Sequence, residues 1–186
     1  MNSKRLFIAL NLPTEAKAEL VRLIDDLRTG RTGVKWCQEE NLHLTLHFLG
    51  YMGDDQADQV KLLAQSLSGK FGQIQFNFGY LGGFPNLAHP RVIFVEFEQI
   101  GSKSIYKLQQ LLGQGLAKLN LAVDQRPWQS HITLGRVKDY SRAPVKIAKK
   151  NLNISQKHFV ISTFDLMESQ LKPTGAEYFK VASYNL

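Results

Sequence analysis

Apolar and polar positions follow two periods along this chain, and the changes of period divide it into elements. Arg5–Leu10 is a short apolar run that reads as a buried strand. Pro13 and Thr14 open a helix, with Thr14 as N-cap and Glu15 in the first turn. Ala16, Leu20, Leu23, Ile24 and Leu27 recur at helical spacing until Gly30 stops it. Val34–Trp36 reads as a short strand. In Asn41–Gly50 the pattern is alternating. Leu44, Leu46 and Phe48 point one way; His43, Thr45 and His47 point the other. A second helix is capped by Asp54 or Asp55, carries Ala57, Val60, Leu63, Ala64 and Leu67, and ends at Gly69. Ile74–Tyr80 alternates as a strand, and Gly82, Gly83, Pro85, Asn86 and Pro90 mark a loop.

After that loop the order of elements restarts. Arg91–Glu98 predicts a strand. Ser104–Leu119 predicts a helix with Ile105, Leu108, Leu111, Leu112, Leu116 and Leu119 on one side. Trp128 then precedes His131-Ile132-Thr133-Leu134-Gly135-Arg136. Phe159–Gln170 and Tyr178–Tyr184 form a closing hairpin around Pro173 and Gly175. The interval from Ile8 to His43 is 35 residues and that from Val95 to His131 is 36. Each half thus reads strand, helix, tryptophan, then His-x-Thr-Leu on a strand. A duplicated lobe with pseudo-twofold symmetry follows, over about residues 5–81 and 91–184 of one 186-residue domain. Such lobes can set the two histidine strands side by side at their junction.

Composition narrows the class. At 44% apolar and 21% charged the chain is an ordinary globular protein, not a disordered one. Lone Cys37 excludes an intramolecular disulfide and fits a reducing compartment. The early apolar run is too short for a signal-peptide core or a membrane span, so a cytoplasmic protein is expected. A net charge of +7 and a pI near 9.5 favour polyanionic partners such as nucleic acid or phosphorylated small molecules. The lysines are scattered, however, and the densest cluster, Lys146, Lys149 and Lys150, is modest.

His43 and Thr45 share a strand face, as do His131 and Thr133. Each pair presents an imidazole and a hydroxyl from positions about 7 Å apart along the backbone. A phosphate between two such strands would meet both imidazoles and both hydroxyls. One neutral imidazole removes a proton from the attacking oxygen, and one protonated imidazole gives a proton to the leaving oxygen. The hydroxyls hydrogen-bond the non-bridging oxygens. This scheme needs no metal. One His-x-Thr-Leu is a weak signal, whereas two at matching places in a repeated topology are a strong one.

These motifs, with Leu6–Leu10, the Phe48-Leu49-Gly50 that follows the first, Gly83-Phe84-Pro85, Pro90-Arg91, Glu168-Ser169, Gly175 and Tyr178, resemble the 2H phosphoesterase superfamily over essentially the whole chain. Within it they are similar to the bacterial RNA 2′,3′-cyclic phosphodiesterases, also described as 2′-5′ RNA ligases. The resemblance implies an α+β, bilobal LigT-like fold: two pseudo-symmetric lobes, each an antiparallel sheet with outer helices, and a groove between them. It implies metal-free, cofactor-free hydrolysis of a terminal 2′,3′-cyclic phosphate to a 2′-phosphomonoester. His43 would be the proton donor, His131 the proton acceptor, and Thr45 and Thr133 the phosphate ligands. On the sequence alone the two histidine roles are interchangeable. RNA ends or nucleoside 2′,3′-cyclic phosphates are the implied partners. No obligate protein partner is evident, and a monomer is expected.

Arg136 falls on the opposite strand face from His131 unless a bulge at Gly135 re-aims it toward phosphate. Arg91 reads as a surface residue. Phe84 and Trp128 have the chemistry to stack on a base but suit core packing better. Phe48 is expected in the core with Leu46, and His47 on the His43 face about 13 Å away. His89 and His158 have no motif around them. Three rival readings remain. The spacing of His43 and His47 matches His-Glu-x-x-His zinc sites, but Leu44 replaces the glutamate and the segment reads as strand. A groove of this kind can also bind a nucleotide without turning it over. The same histidines can run the reaction backward as a 2′-5′ RNA ligase.

Overall fold

A computed structural model describes residues 3–28, 33–139, 157–173 and 175–186. Gly30 and the cluster of Lys146, Lys149 and Lys150 lie outside the described residues. Among the described residues the order is β1 (Lys4–Asn11), α1 (Thr14–Arg28), β2 (Val34–Trp36), β3 (His43–Met52), α2 (Asp54–Leu67), β4 (Ile74–Phe84), β5 (Val92–Gln99), α3 (Ser104–Lys118), β6 (His131–Val137), β7 (Phe159–Ile161), β8 (Thr163–Lys172) and β9 (Gly175–Asn185). The architecture is α+β, with an antiparallel sheet and three helices.

The strands run β7-β4-β5-β6-β3-β1-β8-β9, with β2 added to β6. The two His-x-Thr-Leu strands are the central neighbours, joined antiparallel at Leu44 and Ile132. On either side the order mirrors itself. β5 flanks β6 as β1 flanks β3, and β4 lies beyond β5 as β8 lies beyond β1. Strand β4, from the first half of the chain, pairs with β5 of the second, and β8 of the second half pairs with β1 of the first.

One face of the sheet carries the core. Leu6, Ile8, Leu10, Leu44, Ile93, Val95, Ile132 and Leu166 are buried there with the stripes of all three helices. Each such side chain contributes about 1.5–3 kcal/mol by leaving water. The stripes are those the periodicity predicts: Ala16, Leu20, Leu23, Ile24 and Leu27 in α1, Ala57, Val60, Ala64 and Leu67 in α2, Ile105, Leu108, Leu112 and Leu116 in α3. Helices α2 and α3 meet where Gly115 faces Leu63. A Cβ there would stand 2.3 Å from Leu63 Cδ1, so the glycine sets the approach.

The caps, one loop and one strand differ from the sequence reading. Phe159–Gln170 is two strands, β7 paired with β4 at one edge of the sheet and β8 paired with β1 and β9 toward the other. Pro13, not Thr14, supplies the first carbonyl of α1, which the Lys17 N–H meets at 3.0 Å. Gly53, not Asp54 or Asp55, caps α2, and Gln56 Oε1 accepts its N–H at 3.3 Å. The two aspartates lie in the first turn, where the helix dipole favours them. Gly82 and Gly83 belong to β4, opposite Phe94 and Ile93. Gly82 stays in the strand because its missing side chain makes room for the Phe94 ring, 2.2 Å from where a Cβ would be.

Each His-x-Thr-Leu strand carries a β-bulge at the same place. In β3, Thr45 pairs with Ala9 and His47 with Ile8, leaving Leu46 without a partner. In β6, Thr133 pairs with Phe94 and Gly135 with Ile93, leaving Leu134 without a partner. Each extra residue moves the following side chains to the other face. Gly135 then turns toward the β2 side, where a Cβ would lie 2.8 Å from the Trp36 ring and 2.9 Å from Val34. Gly135→Ala is therefore expected to destabilise the fold by about 1–3 kcal/mol, read as a lower urea midpoint with an unchanged m-value.

Candidate active site

The face of the sheet without helices holds the predicted residues. With Leu44 opposite Ile132 in an antiparallel pair, the adjacent register positions are His43 with Thr133 and Thr45 with His131. Leu44 and Ile132 are fully buried on the core face, so the four polar side chains stand together on the other. Facing pairs have Cβ atoms about 5 Å apart, and the two histidines, on the diagonal, about 7–8 Å.

Both imidazoles are held alike. His43 Nδ1 lies 2.8 Å from the carbonyl of Asn41, and His131 Nδ1 lies 2.7 Å from that of Gln129, in each case two residues upstream. A carbonyl only accepts, so each Nδ1 carries the proton and each Nε2 is left for other partners. His43 Nε2 accepts a hydrogen bond from the Thr45 hydroxyl at 3.0 Å. The anchoring carbonyls belong to tied segments. Asn41 Nδ2 donates to Ala176 O at 3.1 Å, and Ser130 donates to Phe97 O. Trp128 Nε1 donates to Thr45 O at 3.1 Å and fixes one motif from the approach to the other. Trp128 is thus a packing residue, edge-on to Tyr106.

Each imidazole also sits between two aromatic rings. His43 has Phe7 at 5.0 Å and Tyr178 at 5.2 Å, the latter at 86°. His131 has Phe84 at 4.9 Å and 84°, and Phe94 at 5.3 Å. Phe84 stacks on Phe94 at 4.4 Å, so it supports the histidine from within the wall. Sequence reasoning does not single out Phe7, Tyr178 and Phe94 as site residues, because their contacts arise across strands. The apolar Phe7 on the polar side of β1 is the one trace in the sequence, since β1 reads as apolar throughout.

These rings remove water from the imidazoles. Burial pushes His43 down to about 4, with the nearby positive charge of Lys17 acting in the same direction and the Asn41 carbonyl opposing both. Burial also lowers His131, with the Arg136 guanidinium adding to it. In the free protein both imidazoles are therefore neutral at pH 7.

The bulges correct three expectations. His47 does not share the His43 face. It is 6% exposed on the core side, with Nε2–H donating to Gln109 O of α3 at 2.8 Å and its ring against Gly113. The pairing with a metal required by a His-x-x-x-His site is thereby lost, since the two histidines face opposite sides of the sheet. Phe48 is not in the core but 60% exposed, with its ring 6.3 Å from Phe7. Arg136 is brought back to the His131 face by the bulge at Leu134 rather than at Gly135, and its charge is felt at His131, Cys37 and Tyr178. His47 and Gly135, and likewise Phe48 and Arg136, occupy equivalent places in the two strands. His89, His158 and Arg91 are exposed, as expected.

The sequence matches the family described as LigT like Phosphoesterase over residues 10–94 and 98–178. It is 30% identical over 187 residues to an RNA 2′,3′-cyclic phosphodiesterase of Thermus thermophilus, covering 98% of this chain and 90% of that protein. A protein of the same name from Archaeoglobus fulgidus is 29% identical over 174 residues, covering 94% and 96%. Among solved structures, one from Thermus thermophilus superposes with a TM-score of 0.82 at 27% identity, covering 98% of this chain and 97% of that one. Escherichia coli LigT, solved with 3′-AMP, superposes with a TM-score of 0.79 at 21% identity, covering 100% and 99%. No described helix is long and apolar enough to cross a membrane.

The depressed imidazoles set a pH dependence of stability. As pH falls, the unfolded chain takes up protons at His43, His47 and His131 before the folded chain does. The stability held by the neutral rings is complete above about pH 6.5 and is lost below it, for His43 down to about 4. Urea midpoints are expected to fall between pH 7 and pH 4.5, and to fall less in His43→Asn. An equal drop in that variant would contradict the assignment.

Proposed function

The chain belongs to the LigT-like phosphoesterase family, and on that premise we propose that it hydrolyses a terminal RNA 2′,3′-cyclic phosphate to a 2′-phosphomonoester by two-histidine acid–base catalysis. The observation that carries this reading is the facing pair of His-x-Thr motifs, with both Nδ1 atoms committed to backbone carbonyls, which leaves each Nε2, that of His43 bonded to the Thr45 hydroxyl in the free protein, as the atom to act on a substrate. The cyclic phosphate lies between them. His131 takes the proton of a water attacking phosphorus, and His43 gives a proton to the departing 3′-oxygen. Thr45, Thr133 and Arg136 hold the non-bridging oxygens, where charge grows as water adds.

The local geometry suits this chemistry. Fixed Nδ1–H bonds set the tautomer and aim of each ring before substrate arrives, so little reorganisation remains for the reaction. Excluding water strengthens each contact to the phosphate. The anion itself favours protonated imidazole, offsetting the burial that keeps the free site neutral. Relatives named RNA 2′,3′-cyclic phosphodiesterase support the substrate class.

A second division of labour is favoured by one observation. His43 is the more strongly depressed imidazole and has Lys17 nearby, which suits a base rather than an acid. A phosphodiester with a nitrophenolate leaving group separates the two, because it needs no acid. Loss of the acid is then largely rescued, and loss of the base is not. Rescue of His43→Ala would support His43 as donor; rescue of His131→Ala would reverse the roles.

His43→Ala and His131→Ala are each expected to lower kcat on a nucleoside 2′,3′-cyclic phosphate by roughly 10²–10⁴-fold in the presence of a chelator, with the 2′-monophosphate as the wild-type product. Near-normal turnover in either variant, or chelator-abolished turnover restored by zinc, would refute the mechanism. Both free imidazoles titrate below their ordinary value, so the singly protonated site is populated on the acid side of pH ~6.5. The kcat/KM profile is therefore expected to be bell-shaped with its maximum below that pH. A maximum near pH 8 would contradict it.

A further inference from the structure

The groove face does not end at the histidines. Along β3 it continues through Phe48 to Tyr51, which pair with Phe7 and Arg5 of β1. Leu49 between them is a second bulge, without a partner and packed partly against the core, so Phe48 and Tyr51 return to one face about two residue steps apart. They are 60% and 66% exposed, among the most exposed large apolar side chains described. Between them and the β8–β9 wall lies Arg5, whose Nη1 donates to Ser169 Oγ at 3.0 Å. Ser169 in turn pairs with Tyr178, the ring beside His43. From His43 outward the open sheet thus presents Phe48, which lies 6.3 Å from the buried Phe7 ring, then Arg5 and Tyr51.

Exposed rings on an open sheet face, with a cation beside them, have the physical form of a stacking platform for unpaired bases. Two large apolar rings left in water gain by being covered, and a nucleobase covers a ring without sequence preference. Two observations select the occupant. The strip is continuous with the groove that receives the RNA end, so anything covalently attached to that end passes near it. The guanidinium at its β8 edge and the chain's net charge of +7 complement a phosphate backbone.

We infer that this strip of β3 and β1 binds the single-stranded RNA leading into the cyclic phosphate, the terminal base stacking on Phe48, the preceding base on Tyr51, and Arg5, beside Tyr51 on the β8 side, meeting a backbone phosphate. This rests on the proposed function for its substrate class. It adds that the protein discriminates a polymer end from a mononucleotide, and it gives the path of the strand along β3 toward Met52.

The test is binding rather than turnover, so that it stands apart from the catalytic reading. Fluorescence anisotropy measures Kd for a labelled six-nucleotide single-stranded RNA ending in a 2′-phosphate, and competition measures Kd for the nucleoside 2′-phosphate. Tyr51→Ala is expected to weaken the RNA roughly 5- to 100-fold and leave the mononucleotide within about twofold, while Tyr51→Phe restores RNA binding. Phe48→Ala is expected to weaken both ligands. Equal effects of Tyr51→Ala on the two ligands, or none on either, would overturn the inference. So would unchanged RNA binding with an altered sedimentation coefficient, which would assign the strip to a second copy of the chain. If the wild type shows no cyclic-phosphate turnover yet the Tyr51 series behaves as stated, the catalytic reading falls and the platform stands.

Discussion

One strand pairing organises this molecule. Leu44 and Ile132 meet antiparallel at the centre of the sheet, and both are buried on the core face. Everything at the groove follows from that register. A slip by one residue would put the imidazoles into the core and the leucines into water, at a cost of several buried side chains. The apolar face thereby fixes the polar one. The helices matter to the chemistry only through it, since α1, α2 and α3 bury the reverse side and hold Leu44 and Ile132 in place.

The electrostatic character of the groove comes from the same economy of position. Each imidazole is tethered by its own strand's incoming carbonyl and walled by rings from neighbouring strands. Such walls withdraw water without introducing a counter-charge, so both imidazoles of the free site rest neutral. On the proposed function, a bound phosphate anion would supply the negative charge that the walls lack. His43, which also lies near Lys17, feels this withdrawal more than His131.

Much of this was legible in the sequence, and what escaped it has a common cause. The helical stripes, the repeated order of elements and the two His-x-Thr faces depend on periods within single segments. The helix starts emerged shifted by only a residue or so, as at Thr14 and Gly53, while β4 runs on to Phe84 and β9 begins at Gly175. The errors at Phe48 and His47 have one origin, the bulge at Leu46. A bulge is a mismatch between two strands, so alternation read along β3 alone cannot reveal it. Gly135 hinted at its counterpart in β6, though the unpaired residue is Leu134. The ring walls escaped for the same reason: Phe7, Phe94 and Tyr178 reach the histidines across strands, from positions far apart in the chain.

The matched bulges make the backbone frame around the two imidazoles nearly symmetric, while the side chains just beyond them are not. Phe48 occupies on β3 the place that Arg136 occupies on β6. A frame of this kind offers a bound molecule two orientations related by half a turn. In one, a given end of the molecule meets a ring; in the other, it meets a guanidinium. The repeated frame thus offers two equivalent ways in, and the contrast of ring and guanidinium distinguishes one from the other.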